Sequence, residues 1–303
     1  MKTAATIVFN MFRLSVAAVL FSAGFSTLSY AQEPLQNTPH GKPMAVSLDY
    51  CADQFILSLA DRDQIMALTT EAIESHSFYQ KQARGLPLYR ATAEEVLQMA
   101  PDVVIRNWGG TKMLPLLARA NIPVASSTYG IGPQVLYQNM RVIGAALDQG
   151  ERAEKLIRDH QVRWAALEKK VAQENKMTLA KGRKLHAAYI APGGITAGKN
   201  TFVNDIIKLA GLASLSEEFG LVGWQPLPLE ALVQNPPDII IGSFFNQKNI
   251  HVSQWSLARH GKIREMLNTI PTIIVPGRYL SCNGIFSVDA AEFIQSKLET
   301  LIK

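Results

Sequence analysis

The chain has 303 residues, 30 basic against 25 acidic, for a formal net charge of +5 with 48% hydrophobic residues and two cysteines. So mild a positive balance, without any basic run interleaved with aromatics, excludes a nucleic-acid-binding reading. The length suffices for two modest hydrophobic cores.

The first 31 residues carry no acidic side chain. Lys2 and Arg13 precede an apolar stretch at 14–25, and Ser29-Tyr30-Ala31 places small residues just before Gln32. That is the pattern of a cleaved secretory signal peptide over residues 1–31, and the apolar stretch falls short of the ~20 residues a membrane span needs. No cysteine follows the cut, so no lipid anchor is expected there, and no later window is apolar enough to cross a membrane. The mature chain is expected to be soluble and exported to the periplasm. Residues 32–43, with Pro34, Pro39 and Gly41, read as a flexible arm.

From residue 44 strands and helices alternate. A strand at 44–48 leads into a helix capped by Asp49, and a second strand spans 65–68. A polar loop at 69–89 carries His76, Phe78, Tyr79 and Arg84. Next comes the most informative pattern: Glu94-Glu95-Val96-Leu97-Gln98-Met99-Ala100-Pro101-Asp102 runs into Val103-Val104-Ile105. It returns as Glu230-Ala231-Leu232-Val233-Gln234-Asn235-Pro236-Pro237-Asp238 before Ile239-Ile240-Ile241, with Glu, Gln, Pro and Asp all 136 residues on. Each copy predicts a short helix, stopped by proline, entering a buried strand. Asn107-Trp108-Gly109-Gly110 then turns into a helix at 112–120, and 122–124 closes the first lobe. One helical stretch is predicted over 134–176, interrupted or bent at Gly150, as a spacer behind both lobes. The second lobe, 177–303, repeats the plan: strand 186–190, a Gly-rich loop, helix 202–211, the second copy, a helix at 257–267, strand 270–275, and a C-terminal helix. Ile206-Ile207-x-Leu209-Ala210 echoes Ile56-Leu57-x-Leu59-Ala60. The fold class is α/β: two Rossmann-like lobes at 44–133 and 177–303 with largely parallel sheets, a backbone helix joining them, and a ligand cleft between.

Gly193-Gly194-Ile195-Thr196-Ala197-Gly198-Lys199 has the spacing of a phosphate loop. Asn200 stands where the Mg²⁺-binding hydroxyl belongs, and no later strand ends in the required acidic residue, so the segment reads as a turn with glycines at positive φ. The six histidines show no metal-binding pairing, and no nucleophile elbow is present, so neither a metal nor a catalytic site is expected. Tyr50, Phe78, Tyr79, Trp108, Trp224, Trp255, Tyr279 and Phe286 fall at strand ends or turns, where α/β sheets build ligand crevices. About half of them are expected to face the cleft. Cys51 and Cys282 end predicted strands, one per lobe; a disulfide across the cleft and two free pocket-lining thiols are both compatible with that placement. Glu94 and Glu230 gain from the helix dipole at equivalent positions, and they would also serve as a two-point docking surface for a symmetric basic partner.

Signal peptide, twin lobes, linking helix and paired Glu-helix-Pro-Asp strands together resemble the periplasmic solute-binding proteins of the cobalamin/ferric-siderophore import class, its vitamin B12-binding members above all. The local likeness rests on Val103–Ile105 with Trp108-Gly109-Gly110, on Thr196-Ala197-Gly198-Lys199, and on Trp224 six residues before Glu230. The resemblance implies capture rather than catalysis, no cofactor, and a monomeric receptor. Its partners would be a bulky metal chelate and an ABC permease dimer with its ATPase subunits. By this likeness Glu94 and Glu230 dock on permease arginines, and Trp224 is the second-lobe pocket tryptophan. The matching first-lobe position holds Leu88, with Tyr89 adjacent, a departure from the pattern. The expected ligand-lining set is Tyr50, Cys51, Tyr79, Trp108, Trp224, Tyr279 and Cys282. Two other readings are a haem or metal-ion receptor that uses Tyr79, His76 or Cys51 as a direct ligand, and an exported thiol redox protein that uses Cys51 and Cys282.

Overall fold

The structure is a computed structural model that describes residues 41–179, 183–244 and 261–301. The predicted signal peptide, most of the arm, and Trp255 lie outside the described residues. Among the described residues no helix is long and apolar enough to cross a membrane.

Two parallel sheets organise the chain. The first has strands β1 (Ala45–Ser47), β2 (Ile65–Thr69), β3 (Leu88–Tyr89), β4 (Val103–Arg106) and β5 (Val124–Ser126) in the order β3-β2-β1-β4-β5. The second has β6 (His186–Ile190), β8 (Ala213–Ser214), β10 (Ile239–Phe244) and β11 (Thr272–Pro276) in the order β11-β10-β6-β8. A separate antiparallel pair, β7 (Ile195–Ala197) and β9 (Trp224–Pro226), stands beside the second sheet. Helices cover both faces of each sheet, so the central strands are continuous apolar runs such as Val103-Val104-Ile105 and Ile239-Ile240-Ile241.

The 136-residue repeat has a structural cause. Asp102 accepts a hydrogen bond from the Met44 amide at 2.8 Å, and Asp238 accepts one from the His186 amide at 2.7 Å. Each repeated aspartate thus satisfies the backbone donor at the start of the neighbouring parallel strand, where the ladder has no partner to offer. The helices Ala93–Met99 and Leu229–Gln234 present Glu94 and Glu230 at the same second helical position, both exposed.

The single linking helix expected over 134–176 is two helices, Gly132–Ala146 and Gly150–Leu179. The break comes at Leu147–Gln149, where Asp148 adopts φ of +53°, rather than at Gly150. Close approach of Gly144 and Ala153, whose Cβ positions would lie 2.7 Å apart, packs the two helices against each other. Ala153 and Ile157 belong to the first core, whereas Leu167 joins the second and Trp164 packs on it. One long helix therefore contributes to both cores. Strand β5 begins two residues later than expected, and β3 and the β7–β9 pair are short elements that the apolar pattern does not announce.

Candidate functional site

The cleft floor is organised by one buried carboxylate. Asp49 caps the helix Tyr50–Leu59: its Oδ1 accepts from the amides of Cys51 at 3.1 Å and Ala52 at 2.9 Å. Its Oδ2 accepts from the amides of Asn107, Trp108 and Gly109 at 2.8, 3.1 and 2.9 Å. Five backbone donors thus converge on one side chain and tie the Trp108 loop to the helix that carries Tyr50 and Cys51. The glycines make that approach possible: a Cβ at Gly109 would sit 2.4 Å from the Leu48 carbonyl oxygen, and Gly110 has φ of +68°. Arg106 closes the loop from outside, donating to the carbonyls of Gly109 at 2.7 Å and Trp108 at 3.2 Å.

A second buried carboxyl lies beneath. Asp53, fully buried, accepts from the Ser47 hydroxyl, from the Thr69 amide at 3.0 Å and from the Thr69 hydroxyl at 2.6 Å. Burial pushes its pKa up from 3.8 to about 7, against the opposing pull of those hydrogen bonds. Below about pH 4 both folded and unfolded chains hold the proton; between about pH 4 and 7 only the folded chain does. Stability from this group is therefore lost as pH rises through that window, on the order of 4 kcal/mol in all. His160, held between the Tyr137 hydroxyl at 2.9 Å and the Ser287 hydroxyl at 3.1 Å, works with opposite sign. Burial, aided by the Arg163 charge, brings its pKa down from 6.5 to about 4, so its contribution is lost as pH falls through that range. Replacement of Asp53 with asparagine is expected to gain stability relative to wild type steadily from pH 4 to pH 7. Urea denaturation across that range reads the difference, and a constant offset would contradict it.

Above this floor a cavity of about 470 Å³, about 1170 Å³ with its open mouth, lies between the sheets. From the first lobe it is lined by Tyr50, Cys51, Asn107, Trp108, Tyr129 and Asn139, and from the second by Phe202, Trp224, Ser281, Cys282 and Asn283. Trp108 packs edge-on to Tyr50 at 5.7 Å and is 56% exposed, and Trp224 stands over Tyr189 and Phe202, 39% exposed. Among the described lining residues none carries a charge at neutral pH; the polar groups are amides and hydroxyls. Two contacts cross between the lobes at the other end: Tyr129 donates to the Asn200 carbonyl at 3.4 Å, and the Gly132 amide donates to Asp205 at 2.9 Å.

Cys51 and Cys282 form a disulfide with Cα atoms 5.6 Å apart. Neither is a free thiol, and with the bond closed Cys51 is not available as a direct metal ligand. Two expected ligand contacts lie outside the cavity. Tyr79 sits behind the disulfide, edge-on to Phe78 at 5.0 Å and Phe286 at 6.0 Å, because Gln54 accepts from its amide and folds the loop back over the first helix. Burial pushes its hydroxyl pKa well up. Tyr279 lies in the helical turn Gly277–Leu280, which rotates it toward Phe293 at 5.7 Å and gives the cleft-facing place to Leu280. His76 is also outside the lining, buried edge-on to Tyr50 at 5.2 Å. Leu88 and Tyr89 are absent from the lining too: Tyr89 is buried with its hydroxyl on the Ser47 carbonyl. The first-lobe aromatic wall comes instead from Tyr50, Trp108 and Tyr129. Of the eight suggested aromatics, Tyr50, Trp108 and Trp224 face the cleft, and Phe78 and Phe286 stack on each other at 4.3 Å.

The Gly193–Lys199 turn is no phosphate cradle. Gly193 and Gly194 have positive φ, and the amides of Gly194, Gly198 and Lys199 already donate to the carbonyls of Ala191, Gly223 and Leu221. Among the described residues no group of three His, Cys, Asp or Glu side chains could hold a metal.

The sequence profile of the family described as "Periplasmic binding protein" matches residues 46–251, more than half of the chain. The chain belongs to the periplasmic binding protein family. This periplasmic binding protein is thus a substrate-binding protein of the ABC import type, acting outside the cytoplasm, and not an enzyme. Its fold is similar to that of the periplasmic haem-binding protein RhuT from Roseiflexus sp. RS-1, with TM-score 0.67, 21% identity, and 84% of this chain and 99% of that one covered. It is also similar to the periplasmic haem-binding protein HutB of Vibrio cholerae (0.66, 22%, 84% and 98%). The periplasmic vitamin B12-binding protein BtuF of Vibrio cholerae matches as well (0.64, 17%, 86% and 98%). No curated protein is similar enough in sequence to count as a match.

Proposed function

We propose that this periplasmic binding protein, exported by its signal peptide, captures a bulky, net-uncharged metal chelate, a corrinoid first of all, and delivers it to an ABC permease dimer with its ATPase subunits. The observation that carries this reading is the cavity lining: aromatic faces from both lobes, amides and hydroxyls between them, and no ionised side chain among the described residues. A chelate bearing carboxylates or phenolates would call for arginine or lysine at the wall, because a buried anion without a cation or several donors is costly. Solved structures of the same fold include proteins that bind vitamin B12 and haem.

Glu94 and Glu230, exposed at equivalent helix starts, are the proposed permease contacts, one per lobe. The division into lobes at 44–133 and 177–303 is the proposed mechanical one, with the linking helices limiting how far they part. Calorimetric titration of the mature protein with cyanocobalamin, a ferric hydroxamate and haemin in parallel tests the reading. Saturable binding of cyanocobalamin at micromolar or tighter affinity is expected; selective binding of haemin would overturn the uncharged-ligand reading. Trp224→Ala should weaken binding at least about tenfold, near 1.4 kcal/mol, with little change in thermal midpoint, since the indole is a partly exposed wall rather than core.

A further inference from the structure

The Cys51–Cys282 bond joins the first helix of one lobe to the segment before the last helix of the other, 231 residues along the chain. Both cysteines line the cavity, flanked by further lining residues: Tyr50 on one side, Ser281 and Asn283 on the other. Behind the bond, Phe78 of the first lobe stacks on Phe286 of the second at 4.3 Å, and the Ser281 hydroxyl donates to the His76 carbonyl at 2.8 Å. A covalent link, a ring stack and a hydrogen bond therefore coincide at the floor of the cleft.

We propose that this disulfide sets the resting separation of the two lobes, and with it both the width of the ligand cleft and the spacing of Glu94 and Glu230. The inference rests on the cleft and docking readings above. Its chemistry is positional. With the bond closed, the backbones at Cys51 and Cys282 are held 5.6 Å apart, so the lobes can part only about that point. With it open, the floor is held only by non-covalent contacts: the rings of Phe78 and Tyr79 against Phe286 and Tyr279, and the Ser281 hydrogen bond. Forming the bond removes two electrons and two protons from the thiols and requires a disulfide-donating partner. A dithiol reverses it by exchange and leaves as its own disulfide.

The test places nitroxide labels at Gln98→Cys and Gln234→Cys, which are exposed and equivalent on the two repeated helices. Their separation is measured by electron–electron resonance with the native disulfide and in the Cys51→Ser/Cys282→Ser background. A narrow distribution is expected in the first case and a broadened, displaced one in the second, with cyanocobalamin affinity at least tenfold weaker. Identical distributions in both backgrounds would overturn the proposal. Should the double serine variant not fold, small-angle scattering of the wild type before and after dithiothreitol decides instead. A larger radius of gyration with unchanged far-UV circular dichroism is expected, and an unchanged radius overturns the idea. Failure of the oxidised wild type to bind any of the three chelates would sink the functional reading while leaving these ligand-free measurements to judge the tether.

Discussion

Replacing Asp49 with alanine is expected to lower stability by about 3–5 kcal/mol and to remove most ligand affinity. The size follows from what the carboxylate does. It is 3% exposed and accepts from five backbone amides, three of them in the Trp108 loop. Truncation leaves those donors facing an apolar gap, and each unsatisfied buried donor costs about 1–3 kcal/mol unless the loop moves to reach water. Movement is the second consequence. The Gly109-Gly110 turn lies flush on Leu48, so a loop freed from Asp49 lifts off the first helix and takes Trp108 away from Tyr50. Asn at this position is expected to rescue only part of the loss, because its amide nitrogen would point a donor at donors. Denaturant unfolding and chelate titration of the two variants read both effects. Wild-type stability in the alanine variant would show that water replaces the carboxylate at no cost, which the burial of the site argues against.

The double change Glu94→Ala/Glu230→Ala is expected to abolish uptake while leaving chelate affinity and stability where they were. Both side chains are exposed, neither lines the cavity, and each occupies the second position of its helix, where loss of a favourable dipole interaction costs only about 0.3–1 kcal/mol. In the proposed docking the cost would be larger, since two charges presented by a two-lobed receptor to a dimeric permease would act together and their effects on encounter and register would multiply. Uptake of radiolabelled cyanocobalamin in cells carrying the importer, set beside a titration of the purified variant, separates delivery from capture. Normal uptake by the double variant would remove the docking role. Each single variant should retain partial uptake, whereas a one-sided contact would make one of them silent.

Much of this was readable in the chain. The paired Glu-helix-Pro-Asp pattern identified two like halves because the same backbone problem, an open amide at the start of a parallel strand, is solved by the same aspartate in each. Continuous apolar triplets located β4 and β10 because strands covered on both faces leave no polar register to misread. The remainder was hidden for local reasons. Strand β5 ends at Ser126, two residues beyond the apolar Ile122-Pro123-Val124, so the apolar pattern gives no sign that Tyr129 falls in a strand-end loop at the cleft. The glycine-rich turn masked β7, whose partner β9 carries Trp224 and contains a proline. The place of Tyr79 and Tyr279 in loops points to the ligand, but each turns toward an aromatic cluster that only tertiary packing creates. The cysteine pairing was undecidable because it depends on how closely the two lobes approach, a quantity no spacing along the chain encodes.

A crystal structure of the mature protein grown with cyanocobalamin would show whether the cleft holds the chelate. The corrin ring is expected in the cleft, in contact with Trp108 and Trp224, its amide side chains meeting Asn107, Asn139 or Asn283, with Cys51 and Cys282 still joined beneath it. Crystals in which the cleft stays empty at saturating cyanocobalamin, or in which the chelate sits elsewhere on the surface, would contradict that expectation.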